Sequence, residues 1–193
     1  MQTSFLLSAL VSAHVEPGVP LDPRPRIECF ERRWYAAYTR ANHEKTVTRQ
    51  LQQRSVECFL PLYERVRRWK DRRMRLQLPL FPSYVFVRLA LGDRLRVLEI
   101  PGVARLVGFD GRPVPLPEGD IETIRTRLAG VSRVEPYPYL RSGRRVRILS
   151  GALEGLTGVV VRKKNRTRFV ISLELIMRSV AVEIDDHMLG PAS

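Results

Sequence analysis

Apolar and polar positions alternate through residues 34–39, with Trp34, Ala36 and Tyr38 on one side, which predicts a strand. Asn42 is placed to cap a helix running to about Arg54, with Val47 and Leu51 four apart on its inner face. Residues 56–62 alternate again and put Val56, Cys58, Leu60 and Leu62 together. Residues 84–89 form the next predicted strand. Asp93 is placed to cap a short helix through Glu99, residues 103–107 read as a strand, and Asp110-Gly111 is a tight-turn signal. Ile121, Ile124 and Leu128 recur at helical spacing within 118–129. Acids come early there and arginines late, which suits the helix dipole, and Gly130 is placed to close it. Strands broken by helices in this way predict a compact α+β sandwich.

The pattern then changes. Pro136 and Pro138 sit in a predicted linker over 131–142, followed by short strands at 144–149, 157–163, 167–174 and 179–184. Gly143, Gly151, Gly155 and Gly158 punctuate them, and Lys164-Asn165 reads as a hairpin tip. This predicts a small β-barrel over 143–189, after a sandwich domain over 33–130. Residues 1–32 read as a disordered extension. Residues 5–13 resemble a signal h-region, but no Lys or Arg precedes them, and the run is too short to span a bilayer.

Residues 79–87, Pro-Leu-Phe-Pro-Ser-Tyr-Val-Phe-Val, carry the sharpest local signal. Pro82 fixes φ and cannot donate a ladder hydrogen bond, so it belongs at a strand entrance. Beyond it Tyr84 and Phe86 cannot share a face with Val85 and Val87. Two readings follow: aromatic surface left outward as a binding patch, or a strand buried on both faces. Phe81 and Tyr84 are the rings expected outside, with Phe86 inside.

Composition adds the class of neighbour. The 193 residues are 44% apolar, enough for a core, and 33 Lys and Arg against 20 Asp and Glu give a net charge of +13. That balance points to nucleic acid or another acidic surface. Arg65, Arg67, Arg68, Lys70, Arg72, Arg73 and Arg75 place seven positive charges in eleven residues around Trp69, opposed only by Asp71. Such a run is expected in an exposed loop or hairpin tip. It either grips phosphates, with Trp69 stacking on a base, or is a solvated loop without a ligand. Contact of this type positions a backbone rather than reading bases. Cys29 and Cys58 are too few for a disulfide framework or a four-cysteine zinc site, and His14, His43 and His187 are scattered. No metal or cofactor is expected, and a reducing cytoplasm is the simplest compartment. A phosphate loop, a nucleophile elbow and a convincing acid/base pair are all missing, which argues against an enzyme.

Val146 opens a second motif, in which apolar alternation gives way to Gly151, Glu154, Gly155 and Gly158. Glycines allow a small barrel to turn sharply or approach its own backbone closely. The pattern looks like a KOW motif, found in ribosomal proteins and in transcription elongation factors. Combined with Trp34-Tyr35, the 79–87 segment and Pro101-Gly102-Val103, it resembles the NusG family of bacterial transcription factors over about residues 33–189. The resemblance implies an NGN-type α/β sandwich with an antiparallel sheet, followed by an SH3-like KOW barrel. It implies binding to the clamp of RNA polymerase, suppression of pausing or termination, and recruitment of Rho or a ribosomal protein by the barrel. Carried over by position, the polymerase-binding patch draws on Trp34, Tyr35, Phe81, Pro82 and Tyr84. Trp34 is alternatively plain core. The basic run falls where the family carries a hairpin near upstream or non-template DNA, with Arg67, Arg68, Arg72 and Arg73 the first choices for backbone contact. A monomer without membrane contact is expected.

The extension and the dense arginines lean toward a specialised paralogue of the RfaH or polysaccharide-operon type. The β-branched run at Val159, Val160 and Val161, with Phe169, Val170, Ile171, Val180 and Val182, favours a permanent barrel rather than one that switches to helix. A ribosome-associated KOW protein that binds RNA directly is the alternative. It would rely on basic surface and need no apolar docking face.

Overall fold

The computed structural model describes residues 30–69, 72–128, 131, 134–140, 143–163 and 166–191. The extension up to Cys29, Lys70, Gly130 and the Lys164-Asn165 tip lie outside the described residues.

Four antiparallel strands make the first sheet: β1 (Arg33–Thr39), β2 (Glu57–Phe59), β5 (Tyr84–Leu89) and β6 (Val103–Leu106), in the order β2-β5-β1-β6. Its two faces are both apolar, as the chain pattern requires. Tyr35, Ala37, Val85 and Val87 meet helix α1 (Glu44–Gln53) through Val47 and Leu51, together with Val97 of helix α2 (Leu95–Leu98). On the opposite face Trp34, Ala36 and Phe86 meet Ile121 of helix α3 (Glu118–Glu122), and Ile124 and Leu128 just beyond it. The helix predicted over 118–129 thus forms, but its second half widens to a π-helical turn at Thr123–Arg127. Helix α1 starts one residue later than the Asn42 cap implied. Asn42 has φ +63°, and His43 occupies the cap position without a side-chain bond.

Between β2 and β5 the chain leaves the sheet. Strands β3 (Leu62–Trp69) and β4 (Arg72–Pro79) pair only with each other, from Leu62 opposite Pro79 to Trp69 opposite Arg72. Strands β7 (Gly108–Phe109) and β8 (Arg112–Pro113) form a short hairpin around the Asp110-Gly111 turn.

The second sheet has six antiparallel strands in the order β14-β10-β11-β12-β13-β9. They are β9 (Val134–Tyr137), β10 (Arg144–Ile148), β11 (Thr157–Lys163), β12 (Arg166–Leu173), β13 (Arg178–Ile184) and β14 (Leu189–Pro191). Val146, Ile148, Phe169, Val180 and Val182 fill its inside. Strand β9 corrects the linker reading: residues 134–137 pair with β13, with Pro136 opposite Val180, so the second unit starts before Gly143. Proline is tolerated there because β9 is the edge strand. The expected α+β sandwich followed by an SH3-like KOW barrel is the architecture found. The two units share one apolar cluster that runs from Trp34 and Leu116 through Leu128 to Val146 and Leu153.

Candidate functional site

The 79–87 segment enters β5 through a tight turn. The Tyr84 N–H donates to the Phe81 carbonyl at 3.1 Å, with Pro82 second and Ser83 third. Ser83 has φ +68°, which together with proline at the second place follows the type II pattern. Phe81 is only 1% exposed and packs edge-on against Phe86, ring centroids 5.5 Å apart. The expectation that Phe81 faces outward is therefore corrected. It lies against the sheet because the turn folds back over β5. Phe86 is buried, as expected.

The period of two also divides Trp34 from Tyr35. Trp34 is 4% exposed and lies with Phe81 and Phe86, whereas Tyr35 faces the α1 side of the sheet. The two cannot line one depression. Pro82 is exposed and Ser83 and Tyr84 are half-buried, and these are what the turn offers to solvent.

Tyr84 has a neighbour that the sequence argument did not select. Tyr38 lies opposite it in the ladder, and their rings are tilted at 5.4 Å. The Arg105 guanidinium sits 4.9 Å over Tyr38, and that of Arg178, from the second sheet, 5.9 Å over Tyr84. The β1–β6 register slips between Tyr38 and Thr39, a bulge of the kind that re-aims a side chain. The two rings, tilted by 60° to each other, are thus each met by one arginine guanidinium. Tyr38 was legible as sharing a face with Trp34, but neither arginine carried any local signal.

The basic run lies on the paired arms of the β3–β4 hairpin rather than in a loop. Arg65, Arg67, Arg68, Arg73 and Arg75 are all exposed. Register places Arg68 and Arg73 opposite each other, on the face that also holds Glu64, Val66 and Arg75. Arg65 and Arg67 share the other face with Tyr63, Leu76, Met74 and Leu78. The Arg75–Glu64 pair at 3.3 Å is solvent-exposed, so it contributes at most about 1 kcal/mol. Strand register also places Trp69 and Arg72 opposite each other at the far end.

In the KOW-like motif, Val146 points into the barrel core, and Glu154 is exposed. Gly155 has φ +85° and its N–H donates to the Ile148 carbonyl at 2.8 Å. A Cβ at Gly158 would come within 2.6 Å of the Phe169 ring, so glycine is required for β11 to pass over that ring.

Between the two units lies a cavity of about 940 Å³, lined by Phe109, Pro117 and Asp120 on one side and by Tyr139, Val170 and Glu174 on the other. Burial, and then the Glu174 charge, raise the Asp120 pKa above the ordinary carboxylate range. Burial, and then Glu57, raise that of the Cys58 thiol, which donates weakly to the Thr48 carbonyl at 3.7 Å. Among the described residues, no group of three or more His, Cys, Asp or Glu could hold a metal ion. No helix among them is long and apolar enough to cross a membrane.

Residues 32–125 match the family described as transcription termination factor nusG. The transcription termination/antitermination protein NusG of Thermus thermophilus is 28% identical over 174 residues, covering 79% of this chain and 94% of that protein. NusG of Campylobacter jejuni is 28% identical over 166 residues, covering 79% and 93%, and NusG of Helicobacter pylori strain J99 is 23% identical over 164 residues, covering 78% and 93%. A solved structure of Thermotoga maritima NusG, described for its domain interaction, superposes with a TM-score of 0.54 at 21% identity, covering 84% of this chain and 98% of that one. Sandwich, barrel and relatives that align along both give one conclusion: residues 32–125 carry the NusG family's pattern, the chain is similar to NusG proteins along most of its length, and it has a general role in transcription.

Proposed function

We propose that the chain is a cytoplasmic elongation and antitermination factor that docks on the clamp of RNA polymerase, suppresses pausing or termination, and is not an enzyme. The observation that carries this reading is the Tyr38–Tyr84 ring pair beside the exposed Pro82, at the end of an otherwise buried aromatic face. Rigid rings at the rim of a packed face make good anchors for apolar side chains of a partner. Tyr84 packs against the buried cluster that holds Trp34 and Phe81, and Tyr35 lies in the cluster on the far side of the sheet. Arg178 covers one face of Tyr84, so docking on that ring requires the barrel to move aside.

The exposed hairpin arginines would run along upstream or non-template DNA and hold phosphates in register. The barrel would recruit a second partner, Rho or a ribosomal protein. The test is retention on core RNA polymerase: wild type binds, and Tyr84→Ala binds at least about tenfold more weakly. Equal retention of the two would overturn docking at this pair.

A further inference from the structure

Ser83 occupies the third position of a type II turn, where glycine is the usual residue because φ is positive. A serine there needs support from outside the turn. Two bonds supply it. The Thr39 N–H donates to the Ser83 carbonyl at 2.9 Å, which ties the turn to the end of β1. The Ser83 N–H donates to Glu44 Oε1 at 2.7 Å, from a side chain 39 positions away at the start of α1. Glu44 is only 4% exposed, unusual for this residue type. A buried carboxyl group in such a place keeps its position only if it is bonded.

We infer that Glu44 is a positioning residue for the docking turn. It holds the Ser83 peptide in its left-handed conformation and so fixes where Pro82 and Tyr84 meet a partner. The inference rests on the docking reading for its consequence, but its geometry can be tested separately. Helix α1 packs on the opposite side of the sheet from the Tyr38–Tyr84 pair, so Glu44 acts on that surface only through the turn.

The experiment uses the full-length chain and two measurements. In the first, amide hydrogen exchange followed by NMR, Glu44→Ala speeds exchange at Ser83 by roughly tenfold while Val85 and Val87 in β5 stay protected. Glu44→Gln keeps an oxygen acceptor in place and stays within about threefold of wild type. In the second, affinity for core RNA polymerase, Glu44→Ala weakens binding by about tenfold and Glu44→Gln by less. Adding Ser83→Gly to Glu44→Ala restores most of the affinity, because glycine adopts the turn without the clamp. Unchanged Ser83 exchange in Glu44→Ala overturns the inference. So does a loss of protection that spreads through β5 and is not relieved by Ser83→Gly, since that assigns Glu44 to overall stability. If Tyr84→Ala binds polymerase like wild type, the docking reading fails, while the exchange result still decides whether Glu44 fixes the turn.

Discussion

The arginine hairpin and the turn that follows it at Pro79 are neighbours in the chain, but they are held in opposite ways. The hairpin has two strands, no third partner and exposed cations along both faces. Eight residues per arm make it about 27 Å long. The turn is clamped from β1 and α1, folds Phe81 into the core, and leaves Pro82 and parts of Ser83 and Tyr84 outside. The contrast follows from what burial costs. Packing five arginines away from water without partners is prohibitive, so their exposure is dictated by residue type. A phenylalanine is stable wherever a cavity of its shape exists, so its exposure is dictated by the fold. Charge density therefore reports a surface directly, whereas aromatic density reports either a surface or a core.

Four experiments, with six substitutions among them, break or sharpen that contrast, and the largest effect belongs to the turn. Phe81→Ala removes a fully buried ring packed edge-on against Phe86 and is expected to cost about 3–5 kcal/mol in chemical denaturation. A cost near that of an ordinary surface change would mean that Phe81 is not core. Tyr84→Ala separates the two roles: stability falls by about 1 kcal/mol for the lost ring pair, while polymerase affinity falls by at least about tenfold, or about 1.4 kcal/mol. If both fall equally, Tyr84 serves the fold alone.

On the hairpin, replacing Arg67, Arg68 and Arg73 by Ala is expected to leave thermal stability within about 0.5 kcal/mol each. The same changes should flatten the salt dependence of DNA retention by roughly one unit of slope per phosphate lost. An unchanged slope would leave the arginines as solvated charge.

The smallest effect lies between the units. Burial and Glu174 raise the Asp120 pKa in the folded chain, so folding favours its protonated form. The contribution of Asp120 to stability is therefore fully present at pH below the unfolded carboxylate value and is lost as pH rises through the folded one. Asp120→Asn should remove that fall, raising the urea midpoint at neutral pH by less than about 1 kcal/mol of stability. Retention of the full pH dependence in Asp120→Asn would place its origin elsewhere.

Strand and helix placement was read well wherever period and punctuation agreed. Residues 34–39 and 84–89 fold as the alternation indicated, the first strand starting one residue earlier at Arg33, and Gly155 and Gly158 stand where the barrel turns or crosses Phe169. Proline misled the reading of 131–142, because an edge strand tolerates what a central strand does not. The separation of Trp34 from Tyr35 was implicit in the alternation itself, yet carrying the two over together by position joined residues that the sheet keeps on opposite faces.

Residue order alone determined the two-part architecture, the strand entrance at Pro82 and the outward arginines, because these depend on local φ restriction, period and the cost of burying charge. Only the tertiary structure decided that Phe81 lies inside, that Tyr84 pairs with Tyr38, and that Glu44 and Arg178 reach the same turn from distant parts of the chain. Those facts depend on which surfaces the packed elements bring together, and no local pattern encodes a contact made 39 residues or more away.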